Sequence, residues 1–172
     1  ARLSPDKQNA VNAIYQFKFD AATGHLTPND PPIINPQGPD GPRHYCFHPS
    51  KDLVYVTNEQ GCSVTVYSLD KSTGTLTAGQ TVTTLPADFT GNSSCSQIQI
   101  HPQGKFLYAP NRGHNSIASY TIDDTTGASL GTGWTTVLDG SLHTNGGLPF
   151  LAFDYFEIGG KAGNGPNFDK IR

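Results

Sequence analysis

Three features of the sequence predict an all-β fold made of β-propeller blades, each a four-stranded antiparallel sheet. The first is an internal repeat. A shift of 53 residues carries His48-Pro49 onto His101-Pro102, Asn58 onto Asn111, Tyr67 onto Tyr120, Asp70 onto Asp123 and Thr73-Gly74 onto Thr126-Gly127. A period near 50 that divides into several short strands falls among propeller blades, which run to roughly 40 to 50 residues each. The second feature is composition: 35% hydrophobic and 15% charged residues, with 19 Gly and 13 Pro in 172, suit short strands joined by marked turns rather than helices. The third is strict alternation of apolar and polar residues over strand-length stretches.

Taken in order, the chain opens partway through a blade, which occupies residues 1–40. Ala13, Tyr15, Phe17 and Phe19 alternate with Ile14, Gln16 and Lys18 as one strand, closed by an Ala22-Thr23-Gly24 turn that Ser72-Thr73-Gly74 repeats later. Residues 29–41, dense in Pro and Gly, read as the connection to the next blade. That blade, residues 41–90, has an inner strand over 44–48 with Tyr45 and Phe47 on one face. Further strands follow over 53–57, 63–69 and 75–84. The next blade, residues 91–140, repeats it from Ser94, with Ile98 and Ile100 where Tyr45 and Phe47 fell. Its later strands are expected over 106–109, 116–122 and 134–138. Residues 141–172 read as a degenerate or partial blade whose only strand signal lies over 147–154.

Charge and motifs narrow the function. A net charge of −3 gives no footprint for nucleic acid, and no apolar run reaches the roughly 20 residues that span a bilayer, so neither partner is expected and the protein should be soluble. Cys46, Cys62 and Cys95 lack paired metal-ligand spacing and form no even disulfide framework. They are expected to be free buried thiols, with a Cys62–Cys95 bridge as the alternative. No metal and no cofactor is expected. Asn92-Ser93-Ser94 is a glycosylation sequon and would matter in a secreted chain. With no Met, Ala1 is no translation start, and the chain is expected to be processed or a piece of something longer.

The strand order then points to a site. In an antiparallel meander the start of the first strand and the end of the second share one end of the sheet, so Arg43 and His44 should meet Asn58 and Glu59. Residues that recur at the 53-residue shift serve every blade, whereas polar residues that differ at equivalent positions are free for a ligand. Arg43 and His44 are matched by Ser96 and Gln97, Glu59 by Arg112, and Gly61 by His114. Arg43, Gln97, Arg112 and His114 are therefore candidate substrate-binding residues, with His44 and Glu59 as candidate catalytic ones. Two guanidiniums hold a carboxylate or phosphate, and a His or Glu deprotonates a water. The duller readings are a capped strand end for Arg43 and His44, and an ion pair between blades for Glu59 and Arg112. His48 and His101, which recur with their prolines, read as structural.

Gly41-Pro42-Arg43-His44 with Phe47-His48-Pro49, Tyr55-Val56-x-Asn58-Glu59, Leu85-Pro86-x-Asp88-Phe89-x-Gly91-Asn92 and Asn111-Arg112-Gly113-His114-Asn115-Ser116-Ile117 resemble the seven-bladed propeller lactonases. That family includes the propeller-type 6-phosphogluconolactonase and the fungal carboxy-muconate lactonising enzyme. The resemblance covers about residues 12–127. It implies metal-free chemistry on a small anionic lactone at the channel mouth, and a cytoplasmic location; the sequon leaves an extracellular one open. The family's Arg-His pair falls on Arg43 and His44, its Asn-Glu on Asn58 and Glu59, and its Asn-Arg-Gly-His on residues 111–114. Where the family usually has an acid after Cys-x, this chain has Gln97 after Cys95-Ser96.

About three blades of an expected seven are present, so a fragment of a longer propeller is expected, or else self-association that completes a ring. The alternatives to a lactone hydrolase are a muconate-type lactonising enzyme and a non-catalytic binding module.

Overall fold

A computed structural model describes residues 12–131 and 134–137, all of it β-structure and turns. A two-stranded antiparallel sheet comes first, from β1 (Ile14–Phe19) and β2 (Leu26–Ile34). A four-stranded meander follows in the order β3 (Pro42–Phe47), β4 (Leu53–Asn58), β5 (Ser63–Asp70) and β6 (Thr75–Thr83). The third sheet contains β7 (Ser94–Cys95), β8 (Gln99–Ile100), β9 (Phe106–Arg112), β10 (Ser116–Thr121) and β11 (Trp134–Val137). In it β7 and β8 both pair with β9, and β9 and β11 flank β10.

The repeat holds at the level of register. Adding 53 to both members of Pro42↔Asn58, Cys46↔Tyr55 and Phe47↔Val54 gives Cys95↔Asn111, Gln99↔Tyr108 and Ile100↔Leu107, all observed pairs. The register therefore slips by one residue at the same place in both sheets, between Pro42 and Tyr45 in one and between Cys95 and Gln99 in the other. A one-residue bulge turns side chains out of the regular alternation. Here it falls on Arg43-His44 and on Ser96-Gln97.

Turn chemistry recurs as well. Asp20, Asp70 and Asp123 each accept backbone N–H groups of the following Thr-Gly turn, at 2.8 Å from Ala22, 2.8 Å from Ser72 and 2.6 Å from Thr126. The hydroxyls of Thr23, Ser72 and Thr126, which also donate to these carboxylates, and then the backbone groups hold all three carboxyls below the ordinary Asp range. Each turn closes on a glycine at positive φ, Gly24, Gly74 or Gly127. Nδ1 of His48 accepts the N–H of Ser50 at 3.1 Å, and Nδ1 of His101 accepts that of Gln103 at 3.2 Å, so both rings brace their own turns.

The central sheet is covered on both faces, so every residue of β4 is buried and its first four, Leu53-Val54-Tyr55-Val56, run apolar without alternation. One face packs Leu53, Tyr55, Val64 and Val66 against Leu107, Ala109, Ala118 and Tyr120 of the third sheet. The other packs Val54, Val56 and Tyr67 with Ile14, Ile34, Leu69 and Leu76. Gln16, buried in β1, donates to Pro31 O at 2.8 Å and accepts from Leu76 N at 2.8 Å, which ties the first sheet to the second.

One expectation needs correction. Residues 29–34 are not part of a linker: β2 runs through Pro28, Pro31 and Pro32 to Ile34. An outer strand tolerates proline because one row of its N–H groups has no ladder partner to lose. In β1 the aromatic side of the alternation is the open one, with Tyr15, Phe17 and Phe19 at least half exposed while Gln16 is buried. The strand expected over 147–154 lies outside the described residues.

Candidate functional site

The bulge in β3 is closed by a side chain. The Thr57 hydroxyl, wholly buried, donates to His44 O at 3.2 Å and accepts from His44 N at 3.4 Å, in place of the ladder bonds that the slip removes. Arg43 and His44 are thereby fixed at the end of β3 beside the β4–β5 loop. That loop is anchored in turn by Glu59 N donating to Gly41 O at 2.8 Å, and by Glu59 O accepting from Cys95 N at 3.0 Å.

Glu59 lies at the centre of the cluster. Its Oε2 is 3.4 Å from Arg43 Nε, and its Oε1 accepts from Arg112 Nη1 at 3.0 Å. Arg43 also donates through Nη1 to Ser96 O at 2.9 Å, reaching the position equivalent to its own in the next sheet. Two sheets thus share one carboxylate between two guanidiniums. Each guanidinium has five N–H donors and spends only one or two of them here, so several remain to meet an anion. The Arg112 side chain is 41% exposed and that of Glu59 only 18%, so the carboxylate forms the floor and Arg112 the wall.

His44 is half-buried. Burial pushes its imidazole below the ordinary His value, the Arg43 and Arg112 guanidiniums add to that, and Glu59 opposes them. The ring is neutral at pH 7 and has a lone pair to accept a proton. Arg43 and His44 also line an open cleft of about 370 Å³ between β1 and β3, with Tyr15, Phe17, Tyr45 and Phe47. Glu59, Gln97, Arg112 and His114 lie outside that lining.

His114 is held by its neighbours. Its Nδ1 is 2.6 Å from the Ser116 hydroxyl, and its ring meets Phe89 edge-on with centroids 4.6 Å apart. Ser116 Oγ also accepts from Asn111 Nδ2 at 3.2 Å. Gly113 permits this loop: at φ +90°, a Cβ on it would sit 2.2 Å from Asn92 O. Gly113→Ala is therefore expected to push the 112–114 loop off the 92–93 segment and to destabilise the fold by about 1–3 kcal/mol, checked by thermal unfolding. Gln97 lies in the interruption between β7 and β8, half-buried.

The structure thus brings Arg43, Glu59 and Arg112 into direct contact, with His44 adjacent. It places Gln97 in the matching bulge and His114 in a separate hydrogen-bonded pair. Sequence reasoning missed the Ser96 carbonyl, the Thr57 hydroxyl and the Phe89 ring. No signal in the sequence would have found the first two, because the register slip that places them is a property of strand pairing. All three cysteines are free thiols. Among the described residues no group of three or more His, Cys, Asp or Glu is placed to hold a metal, and no helix is long and apolar enough to cross a membrane.

A family model described as "Lactonase, 7-bladed beta-propeller" matches residues 4–136. A 6-phosphogluconolactonase of Cronobacter sakazakii is 36% identical over 129 residues, 72% of this chain and 39% of that protein. One from an Enterobacter species is 34% identical over the same shares. The solved structure of the periplasmic gluconolactonase of Pseudomonas aeruginosa superposes with a TM-score of 0.67 at 25% identity, over 75% of this chain and 36% of that one. The chain spans about two fifths of the length of these relatives.

Proposed function

The chain belongs to the seven-bladed β-propeller lactonase family, and from that premise we propose that it hydrolyses an anionic sugar lactone such as 6-phosphogluconolactone. The observation that carries the reading is the Arg43–Glu59–Arg112 cluster beside a neutral His44, built from positions where the repeat breaks. The names of the Cronobacter and Enterobacter relatives support the substrate class.

Of the two candidate bases, His44 is the better placed, because both Glu59 oxygens are engaged by guanidiniums while the imidazole stays neutral. His44 takes a proton from water as the water's oxygen bonds to the lactone carbonyl carbon. The carbonyl oxygen becomes an oxyanion, and the Arg43 N–H groups not spent on Glu59 or Ser96 stabilise it. The tetrahedral centre then collapses, the ring C–O bond breaks, and the departing oxygen takes the proton back from His44. Glu59 holds the two guanidiniums in place. Arg112, the more exposed, binds the substrate's phosphate, with His114 and Gln97 as further polar contacts.

The test compares a phosphorylated with an unphosphorylated sugar lactone. Losing a charge-assisted contact worth about 1.5–3 kcal/mol should raise KM for the phosphorylated lactone in Arg112→Gln by roughly ten- to a hundredfold. The unphosphorylated lactone should be turned over as before. Equal losses on both substrates would rule out phosphate binding by Arg112.

A further inference from the structure

We propose that Cys62 and Cys95 form an oxidisable pair, a site of reversible disulfide formation that staples the β4–β5 loop carrying Glu59 to β7 of the next sheet. The two residues converge on shared partners. The Thr84 hydroxyl, itself buried, lies 2.9 Å from Cys62 O and 3.2 Å from Cys95 Sγ. Glu59 O accepts from Cys95 N at 3.0 Å and has Cys62 Sγ at 4.0 Å. Cys62 and Cys95 thus lie against the same two residues, Glu59 and Thr84.

The pair is also chemically unequal. The neighbouring Cys95 thiol holds Cys62 below the ordinary thiol range, whereas Cys95 is pushed up by that same neighbour and by burial. Cys62 is therefore the nucleophile. Its φ of +44° puts it in a left-handed turn next to exposed Gly61, which is the approach for a small oxidant.

With hydrogen peroxide as oxidant the chemistry balances. The Cys62 thiolate attacks one peroxide oxygen, the O–O bond breaks, and a sulfenic acid and one water result. The Cys95 sulfur then displaces the sulfenic oxygen as a second water and the S–S bond forms. Two thiols lose two electrons and two protons, and peroxide becomes two waters. Cys46, whose thiol burial pushes up to about 12, stays reduced.

Trypsin places the three cysteines on separate peptides, since Lys51 and Lys71 divide Cys46 from Cys62 and Cys62 from Cys95. The folded protein, treated with hydrogen peroxide and digested under alkylating conditions, should lose about 2 Da and yield a linked Cys62–Cys95 peptide pair that a thiol reductant separates. Cys62→Ser should abolish the link. Gains of about 16 Da on separate cysteines, a link to Cys46, or a link that forms only after unfolding in urea would overturn the proposal.

Discussion

Replacing His44 by alanine should lower kcat/KM for a phosphorylated sugar lactone by about 10²–10⁴, the usual worth of a positioned general base. The pH profile should change with it. Because burial and two guanidiniums depress the His44 value below 6.5, the parent has the neutral ring in full supply at pH 7. Its rate should fall as pH drops through that depressed value and the imidazole takes up a proton. In His44→Ala this acid limb should vanish. A profile unchanged in shape would mean that another group titrates in the rate, and Glu59 would be the first to try.

The second large effect concerns the frame that carries the site. Asn111 is wholly enclosed, and its amide is engaged on both sides. Oδ1 accepts from Thr84 Oγ1 at 2.7 Å, while Nδ2 donates to Thr84 O at 2.8 Å and to Ser116 Oγ at 3.2 Å. Asn111→Leu removes these three hydrogen bonds and a fourth from the Cys95 thiol at 3.5 Å, and leaves buried Thr84 and Ser116 groups without them. At about 1 kcal/mol per bond, with extra cost for stranded polar groups, the loss should be about 3 kcal/mol or more. In a chain of this size that is a fall of roughly 6–12 °C in thermal midpoint.

Asn58, its counterpart one repeat earlier, donates to Ser63 Oγ and Thr65 Oγ1, both at 2.9 Å. Its Oδ1 meets no partner among the described residues. Asn58→Leu loses only two such bonds and also removes a stranded carbonyl oxygen, so it should cost clearly less than Asn111→Leu, and thermal melts of the two variants check the difference. Equal costs would contradict the accounting of partners.

These cases show what was legible in the sequence. The 53-residue repeat marked Asn58 and Asn111 as parts every blade needs, and both prove to tie their β-strand to the serine five residues on. It marked His48 and His101 in the same way, and both brace turns through Nδ1. The breaks in the repeat marked Arg43, Glu59 and Arg112, which meet in space because strand order alone decides which strand ends share a side of the sheet.

The one-residue slip was invisible. It is a property of pairing, and nothing in Pro42-Arg43-His44-Tyr45 says that Thr57 will close the gap with its hydroxyl. The β2 strand was missed because three prolines look like a linker until the partner strand shows which N–H groups were needed. The open aromatic side of β1 was unreadable for a related reason. Alternation shows that a strand has two faces, and only the neighbouring sheet decides which is covered.

The most direct measurement of the central claim is ring opening of 6-phosphogluconolactone by the purified protein at pH 7, with the spontaneous rate subtracted. Turnover that saturates with substrate, and that falls by at least about a hundredfold in His44→Ala, is the predicted result. Opening no faster than in buffer alone would contradict it. The Arg43–Glu59–Arg112 cluster would then be an ion-pair clamp between blades, or a place where an anion is bound without being turned over.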